Sequence, residues 1–203
     1  MHDPDEFYQE ALDGAFPALD ELRSQGVIRS YGAGMNQSAM LADFVRHTDL
    51  DIVMLAGRYT LLDQSGLDDL LPACQERGVS VVAAGVFNSG VLALDRPPPD
   101  AAYDYQPAPP EVVDRANRIA DVCESHGVPL PAAAAQFPLG HPSVATVCLG
   151  SRSASEVQRN AALFGTEIPA SLWTDLAGAG LLGGAAPVPC PTAGRPGADA
   201  HAE

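Results

Sequence analysis

Three short stretches combine glycine with amide or hydroxyl side chains, and such stretches can bind an uncharged polar ligand or a phosphate. They are Gly34-Met35-Asn36-Gln37, Phe87-Asn88-Ser89-Gly90 and Gly150-Ser151-Arg152-Ser153. Glycine lets a ligand approach the backbone closely, while amides and hydroxyls exchange hydrogen bonds with it. The third stretch adds an arginine and precedes a predicted helix, so its composition is that of a phosphate site.

Each of these stretches follows an apolar run with the character of a strand. Strands are predicted at residues 27–34, 51–57, 79–87 and 143–150. Helices are predicted from the apolar spacing at residues 7–25, 38–47, 67–78, 111–127, 131–141, 153–165 and 169–182. This alternation indicates parallel strands covered on both faces, and ligands gather at the carboxyl ends of such strands. We therefore expect the glycine-containing stretches to share one edge of a sheet.

The composition argues against several classes of function. The 203 residues carry a net charge of −15, with 26 acidic residues against 11 basic ones, so no basic surface for a nucleic acid is predicted. The four cysteines have no CxxC spacing and the histidines have no metal-ligand spacing, so no metal is expected. Neither a leader sequence nor a membrane-spanning apolar run is evident, which predicts a cytoplasmic protein with no membrane partner.

One domain is predicted over residues 1–182, followed by a disordered tail over residues 183–203 that is rich in proline, glycine and alanine. The first strand-to-helix junction holds two glycines but lacks the G-x-G-x-x-G spacing of a doubly wound dinucleotide-binding domain. The residues alone leave open two architectures for the parallel strands, a doubly wound open sheet and an eight-stranded barrel.

The stretches GVIRSYGAGMNQ, AGRYTLLDQ, FNSGVL and LGSRSASEVQRN occur in this order along the chain. In these stretches the chain resembles the aldo-keto reductases, and within them the aldose (L-fucose or D-threo-aldose) dehydrogenase-like branch, over about residues 2–165. The resemblance implies a (β/α)8 TIM barrel that binds NAD(P) at the carboxyl ends of its strands. It also implies an α/β fold class in which this chain is the C-terminal half of the barrel, with parallel strands five to eight and their helices.

The resemblance assigns a role to the His2-Asp3-Pro4-Asp5 opening, which matches the family's His-Asp-Pro after its fourth strand. His2 would then be the catalytic histidine that orients the carbonyl or hydroxyl of a sugar or aldehyde substrate. The family's catalytic Asp, Tyr and Lys precede that histidine, and this chain contains no lysine at all. The chain is therefore expected to be a truncated oxidoreductase, inactive alone, whose relatives transfer a hydride between NAD(P) and a sugar-like alcohol or carbonyl.

The resemblance also assigns cofactor-binding positions one by one. Asn36 would hold the nicotinamide carboxamide, and Glu156 would accept hydrogen bonds from the adenosine ribose, which favours NAD over NADP. Ala56 and Ala84 depart from the family's carboxamide-binding glutamine and ring-stacking tyrosine. The cofactor-binding residues expected on this basis are Asn36, Phe87, Asn88, Ser89, Gly90, Gly150, Ser151, Arg152, Glu156 and Asn160.

Two other functions remain open from the sequence. The chain could be a non-catalytic nucleotide-binding or assembly module that keeps only the adenosine and pyrophosphate positions, or an unrelated parallel α/β domain of the flavodoxin-like kind. A half-barrel would leave sheet edges unpaired. For that reason, self-association or a complementing N-terminal half is expected as a partner.

Overall fold

The chain begins with a nearly continuous helical segment. The structure is a computed structural model that describes residues 1–190. A 3-10 turn at Asp5–Phe7 leads into α1 (Tyr8–Glu10), a π-helical segment at Ala11–Ala15 and α2 (Phe16–Ser24). Pro17 lies in the first turn of α2, directly after the π-helical segment.

The central element is a parallel sheet with the strand order β1-β2-β3-β6, accompanied by a separate antiparallel pair, β4-β5. The strands are β1 (Gly32–Met35), β2 (Ile52–Ala56), β3 (Ser80–Ala84), β4 (Ala102–Tyr103), β5 (Gln106–Pro107) and β6 (Val144–Cys148). The four strands of the sheet correspond to the four predicted strands. The short hairpin of β4 and β5 lies in a proline-rich stretch for which no strand was predicted.

The remaining helices follow the predicted order. They are α3 (Ser38–His47), α4 (Leu70–Arg77), α5 (Pro110–Ser125), α6 (Leu130–Gln136), α7 (Ala154–Leu163) and α8 (Ala170–Gly178), with 3-10 turns at Ser65–Leu67, Asn88–Gly90 and Phe137–Gly140. Helix α4 ends at Gly78, whose φ of 70° is the left-handed conformation that glycine adopts most easily. The chain can therefore turn there directly into β3.

Helices cover only one face of the sheet. In β2, Val53 and Leu55 are buried, whereas Met54 between them is 37% exposed. In β3, Val81 and Ala83 are buried and Val82 is half-buried. Since successive residues of a strand point to opposite faces, this alternation shows one face packed against helices and one open face. The expectation that both faces are covered is wrong for residues 1–190.

The sheet gains a short extra pairing at its β1 edge. Asp3 donates its backbone N–H to the carbonyl of Gly34 at 3.0 Å, and Gly34 donates to the carbonyl of Met1 at 2.9 Å. His2 and Gly34 form a parallel bridge. The first three residues therefore lie alongside β1, and His2 takes the register of Gly34, which belongs to the open face.

The prediction of the C-terminal half of a (β/α)8 TIM barrel, with these strands as numbers five to eight, is wrong. Among the described residues the sheet is open, since β1 and β6 are its two ends and are not paired with each other. Every strand–helix unit of a parallel sheet repeats the same alternation of residues. The alternation therefore carries no information about the place of a unit within a larger sheet.

The segment after α8 contacts the body of the protein as far as the structure describes it. Tyr59 donates its hydroxyl to the carbonyl of Pro187 at 3.2 Å, and the backbone N–H of Gly183 donates to Gln64 at 3.3 Å. Residues 183–190 of the tail that was predicted to be disordered thus lie against the domain. The rest of that prediction, residues 191–203, lies outside the described residues.

Candidate functional site

The carboxyl ends of three neighbouring strands meet in register. Ala56 pairs with Ala84, and Ala84 pairs with Cys148. The turn after β2 therefore begins beside the turn after β3, which begins beside the turn after β6. As expected from the sequence, the glycine-containing stretches share one edge of the sheet, and we refer to residues 57–58, 85–90 and 149–153 as the strand-end turns.

Two glycines bring the first two strand-end turns into backbone contact. The N–H of Gly57 donates to the carbonyl of Ala84 at 2.9 Å, which continues the β2–β3 ladder by one hydrogen bond. Gly57 and Gly85 have φ angles of 72° and 61°. A Cβ on Gly85 would lie 3.0 Å from the nitrogen of Gly57. Both the conformation and the spacing therefore require glycine.

The Phe87–Gly90 turn presents its residues unequally. Phe87 is half-buried against the core, Asn88 is 4% exposed, and Ser89 is exposed. The φ angles of Asn88, Ser89 and Gly90 are 45°, 58° and 103°. The N–H groups of Asn88 and Gly90 donate to the carbonyls of Gly85 and Phe87, so the N–H of Ser89 is the one in this turn that suits an anion. Ser89 and Gly90 are thus more available to a ligand than the side chain of Asn88.

The turn between β6 and α7 is stabilised by its own polar groups. Ser153 caps α7 by accepting the N–H of Glu156 at 3.2 Å, and Glu156 accepts the N–H of Arg152 at 2.6 Å. Asn160 donates to the carbonyl of Gly150 at 3.3 Å and to the hydroxyl of Ser151 at 3.0 Å. The five predicted residues of this turn are therefore brought together, on an exposed or half-exposed surface.

His2 and Asn36 lie towards the other end of the sheet, on neighbouring backbone segments. The side chain of His2 is 83% exposed, and its Nδ1 lies 3.1 Å from a carboxylate oxygen of Asp3. Asn36 follows β1 directly and is half-buried. Strands β2 and β3 separate these two residues from the turn after β6, so the predicted residues occupy the whole edge of the sheet.

Sequence reasoning missed a charged cluster beside the strand-end turns. Arg58 lies 2.9 Å from the carboxylate of Asp104 and 3.4 Å from that of Asp63. The hydrogen bond from Arg58 to Asp104 and the charges of both carboxylates raise the pKa of the guanidinium. Asp104 lies in the tight turn between β4 and β5, so this cluster fixes the hairpin over the edge of the sheet. The only sequence signal was the position of Arg58 directly after a strand.

Two cavities of the described structure lie away from the strand-end turns. One, of about 380 Å³, is lined by Asp95, Arg96 and residues at the α5–α6 junction. The other, of about 920 Å³, lies between α6, the α7–α8 connection and residues 188–190. Neither contains a predicted site residue. The strand-end turns offer backbone hydrogen bonds and the N-terminus of α7.

Residues 1–190 contain no group of three or more His, Cys, Asp or Glu side chains placed to hold a metal ion. Within the same residues, every helix is too short or too polar to cross a bilayer.

Known proteins resemble this chain over most of its length. The model of the aldo/keto reductase family matches residues 1–179. A D-threo-aldose 1-dehydrogenase from a Pseudomonas species is 46% identical over 183 residues, which are 90% of this chain and 56% of that protein. A pyridoxal 4-dehydrogenase from Microbacterium luteolum is 44% identical over 182 residues, which are 89% of this chain and 53% of that protein. The chain thus spans about half the length of these curated relatives.

Solved structures show the same fold. The holo form of the aldo-keto reductase AKR11C1 from Bacillus halodurans superposes with a TM-score of 0.66 at 28% identity, covering 82% of this chain and 55% of that one. The glycerol dehydrogenase AKR11B4 from Gluconobacter oxydans superposes with a TM-score of 0.67 at 18% identity, covering 87% of this chain and 55% of that one. These matches exclude an unrelated flavodoxin-like domain. The family match from residue 1, with four parallel strands, overturns the assignment of a C-terminal half.

Proposed function

The chain belongs to the aldo/keto reductase family and resembles its aldose dehydrogenase branch, and from this premise we propose that it carries the nucleotide-binding edge of an oxidoreductase. The reaction moves a hydride between NAD(P) and a sugar-like alcohol or carbonyl. The observation that supports the proposal is the register of Ala84 with Cys148, because the turns after β3 and β6 therefore start at neighbouring positions on the sheet edge. Two anion-compatible backbone turns side by side suit a dinucleotide with two phosphates.

The described residues fit such a cofactor at its phosphate and adenosine end. Ser89, which is exposed and has positive φ, can donate its backbone N–H to the pyrophosphate. Arg152 and the N-terminus of α7 supply positive charge for a second phosphate or the ribose. NAD(P), when bound, supplies the hydride acceptor or donor. The residues of this chain hold and orient it at the edge of the sheet.

We favour NAD over NADP because of the carboxylate of Glu156. One of its oxygens accepts the N–H of Arg152, which keeps the carboxylate at the opening of α7. A negative charge there opposes the additional phosphate of NADP, while Arg152 acts in the opposite direction. Glu156→Gln removes the charge, and we expect it to improve NADP binding relative to NAD when both are titrated by calorimetry.

We propose that this chain alone does not turn over substrate. His2 and Asn36 are available at the β1 end of the edge, where they orient a substrate hydroxyl and the nicotinamide carboxamide. However, all 11 basic residues are arginines, so no lysine can lower the pKa of a proton-donating tyrosine. Purified chain mixed with NAD and an aldose should give no increase in the absorbance of NADH. Sustained turnover that disappears in His2→Ala would show that the catalytic groups are complete.

A second candidate function is a non-catalytic nucleotide-binding or assembly module. The observation that favours it is the contrast between the two ends of the edge: polar groups gather at β3 and β6, while Ala56 and Ala84 stand near the nicotinamide position. Comparable affinities for NAD and ADP-ribose in calorimetry support this module. A clear preference for NAD supports the dehydrogenase, because only NAD carries the nicotinamide.

Self-association would cover the open face of the sheet. Met54 is 37% exposed in the middle of that face, and Cys148 is exposed at its β6 side. Sedimentation velocity over a range of concentrations measures whether a second copy binds there. A Met54→Glu variant should shift the distribution to the monomer if this face is the contact, since it buries a charge in an apolar interface.

A further inference from the structure

The side chain of Asn88 joins two strand-end turns, and the geometry points to a positioning role for it. We propose that Asn88 acts through Gly57 to hold the Phe87–Gly90 turn in its ligand-binding conformation, and that its amide does not itself contact the ligand. This inference rests on the proposed function for the ligand, a nucleotide pyrophosphate, but its structural part can be tested without any ligand.

Burial of the amide is the first observation. Asn88 is 4% exposed, and its Nδ2 donates to the carbonyl oxygen of Gly57 at 3.2 Å. Its Oδ1 is buried and accepts no hydrogen bond from any residue of the described chain 1–190. A ligand at the surface of the turn cannot reach either atom while Asn88 stays in this position. A direct contact would also leave the carbonyl of Gly57 without its donor.

The backbone of the turn is the second observation. Asn88 and Ser89 both have positive φ, a conformation that asparagine tolerates better than most residues but that Ser89 does not favour. The turn is closed by hydrogen bonds from the N–H of Asn88 to Gly85 and from the N–H groups of Gly90 and Leu92 to Phe87. An unfavourable conformation persists when its surroundings enforce it. The bond to Gly57 supplies that constraint from the neighbouring strand.

The third observation is the target of the bond. Gly57 is itself fixed by its N–H bond to Ala84 and by the close approach of Gly85. The amide of Asn88 therefore connects the turn to a backbone position that is itself held by a hydrogen bond and by close packing. If the connection is lost, Ser89 can leave the left-handed conformation, and its N–H is then no longer directed towards an anion.

Two variants distinguish the contribution of the Asn88 side chain from that of its backbone conformation. Asn88→Asp keeps the volume and the tolerance for positive φ but removes the Nδ2 donor and turns a carboxylate oxygen towards the carbonyl of Gly57. Asn88→Gly keeps the backbone freedom and removes the whole connection. Asn117→Asp is the control, because it makes the same chemical change on helix α5, outside the strand-end turns. All three are compared with the unmodified chain by hydrogen–deuterium exchange, and by calorimetry with ADP-ribose.

We expect amide exchange at Gly57, Gly90 and Leu92 to quicken about tenfold in both Asn88 variants, with no change in α8 and none in Asn117→Asp. We also expect the Kd for ADP-ribose to rise about tenfold in the same two variants. Unchanged exchange at the turn would overturn the connection itself. Faster exchange with an unchanged Kd would overturn the positioning role. If the unmodified chain binds no ADP-ribose while exchange still quickens, the proposed nucleotide function fails, whereas the Asn88–Gly57 connection is supported.

Discussion

Arg58 lies 2.9 Å from the carboxylate of Asp104, although 46 residues separate them in the sequence. Arg58 directly follows Gly57 at the end of β2, and Asp104 forms the tip of the β4–β5 hairpin together with Tyr105. Strand β4 packs against the Asn88–Gly90 turn. The ion pair therefore fixes the hairpin beside the same strand-end turns that carry the proposed nucleotide site.

Replacing Arg58 with glutamine should loosen this hairpin. The pair is partly exposed, with 21% and 48% of the two side chains accessible, so we expect a loss of about 1 kcal/mol or less in the free energy of unfolding. Chymotrypsin should cleave faster after Tyr105, which is 89% exposed at the hairpin tip. Arg46→Gln, an exposed position on α3, is the control. Equal cleavage rates in the two variants would contradict a role for Arg58 in holding the hairpin.

The stability of the fold should decrease in mild acid because of His141. Burial lowers the pKa of this histidine below its ordinary value of about 6.5. Its Nδ1 accepts the N–H of Ser143 at 3.1 Å, which requires the neutral ring. The unfolded chain therefore binds a proton more readily, and the stabilisation present above pH 6.5 is lost as the pH falls through the lowered pKa.

Urea unfolding at several pH values between 7.5 and 5 measures this loss. One proton contributes at most about 1.4 kcal/mol per pH unit. His141→Asn keeps an acceptor but does not titrate, so its unfolding free energy should fall less steeply with decreasing pH. Parallel pH dependences in the two proteins would show that other groups, such as the carboxylates, account for the decrease.

The four cysteines should separate into two reactivity classes. Cys74 and Cys123 are buried, and burial raises the pKa of each thiol to about 12, whereas Cys148 and Cys190 are exposed. Since the thiolate is the reactive form, a thiol reagent at pH 8 should modify two cysteines quickly and the other two at least about a hundredfold more slowly. Mass spectrometry of the peptides identifies them. Rapid labelling of Cys74 in the folded chain would contradict the packing of α4.

Arg23 should matter more at low salt than at high salt. Its guanidinium contacts carboxylates of Asp20, Asp49 and Asp51 at 2.6, 2.8 and 2.8 Å and lies over the ring of Tyr31. Arg23→Gln leaves three carboxylates close together in a chain that already carries a net charge of −15. The urea midpoint of the variant should be lower than that of the unmodified chain. This difference should shrink in 0.5 M NaCl, where the Debye length is on the order of 4 Å and the repulsion between the carboxylates is screened. A deficit independent of salt would indicate lost packing as its cause.

Local sequence patterns predicted a helix or strand correctly where the tertiary contacts favour the same bounds as the pattern. Helix α3 is found at its predicted bounds, because Leu41, Phe44 and Val45 form one apolar stripe that is fully buried. The first strand was predicted from residue 27 but begins at Gly32. The residues before it have strand-like composition, yet the N–H of Tyr31 is held by the carboxylate of Asp51. A hydrogen bond between residues 20 positions apart thus determines where β1 begins. The strand propensity of the individual residues does not reveal this boundary.

The sequence could predict which turns belong to the candidate site, but it could not predict the side-chain contacts between them. Glycines and amides after apolar strands indicated where ligand-binding turns lie, since parallel strands bring their carboxyl ends together. The connection from Asn88 to Gly57 depends on the register of β2 with β3, and the hairpin depends on Arg58 meeting Asp104. Neither has a local signature. The place of the four strands in a larger barrel was taken from the family resemblance and was assigned wrongly, and the local pattern could not correct it because every strand–helix unit carries the same pattern.

We propose that the turns after β3 and β6 together bind a nucleotide. Chemical-shift mapping of the ¹⁵N-labelled chain with ADP-ribose is the decisive measurement. We expect the largest shifts on the amides of residues 85–90 and 150–156, with smaller ones near Asn160. Saturable shifts confined to the cavity between α6 and the α7–α8 connection, or no shifts at millimolar ADP-ribose, would contradict it.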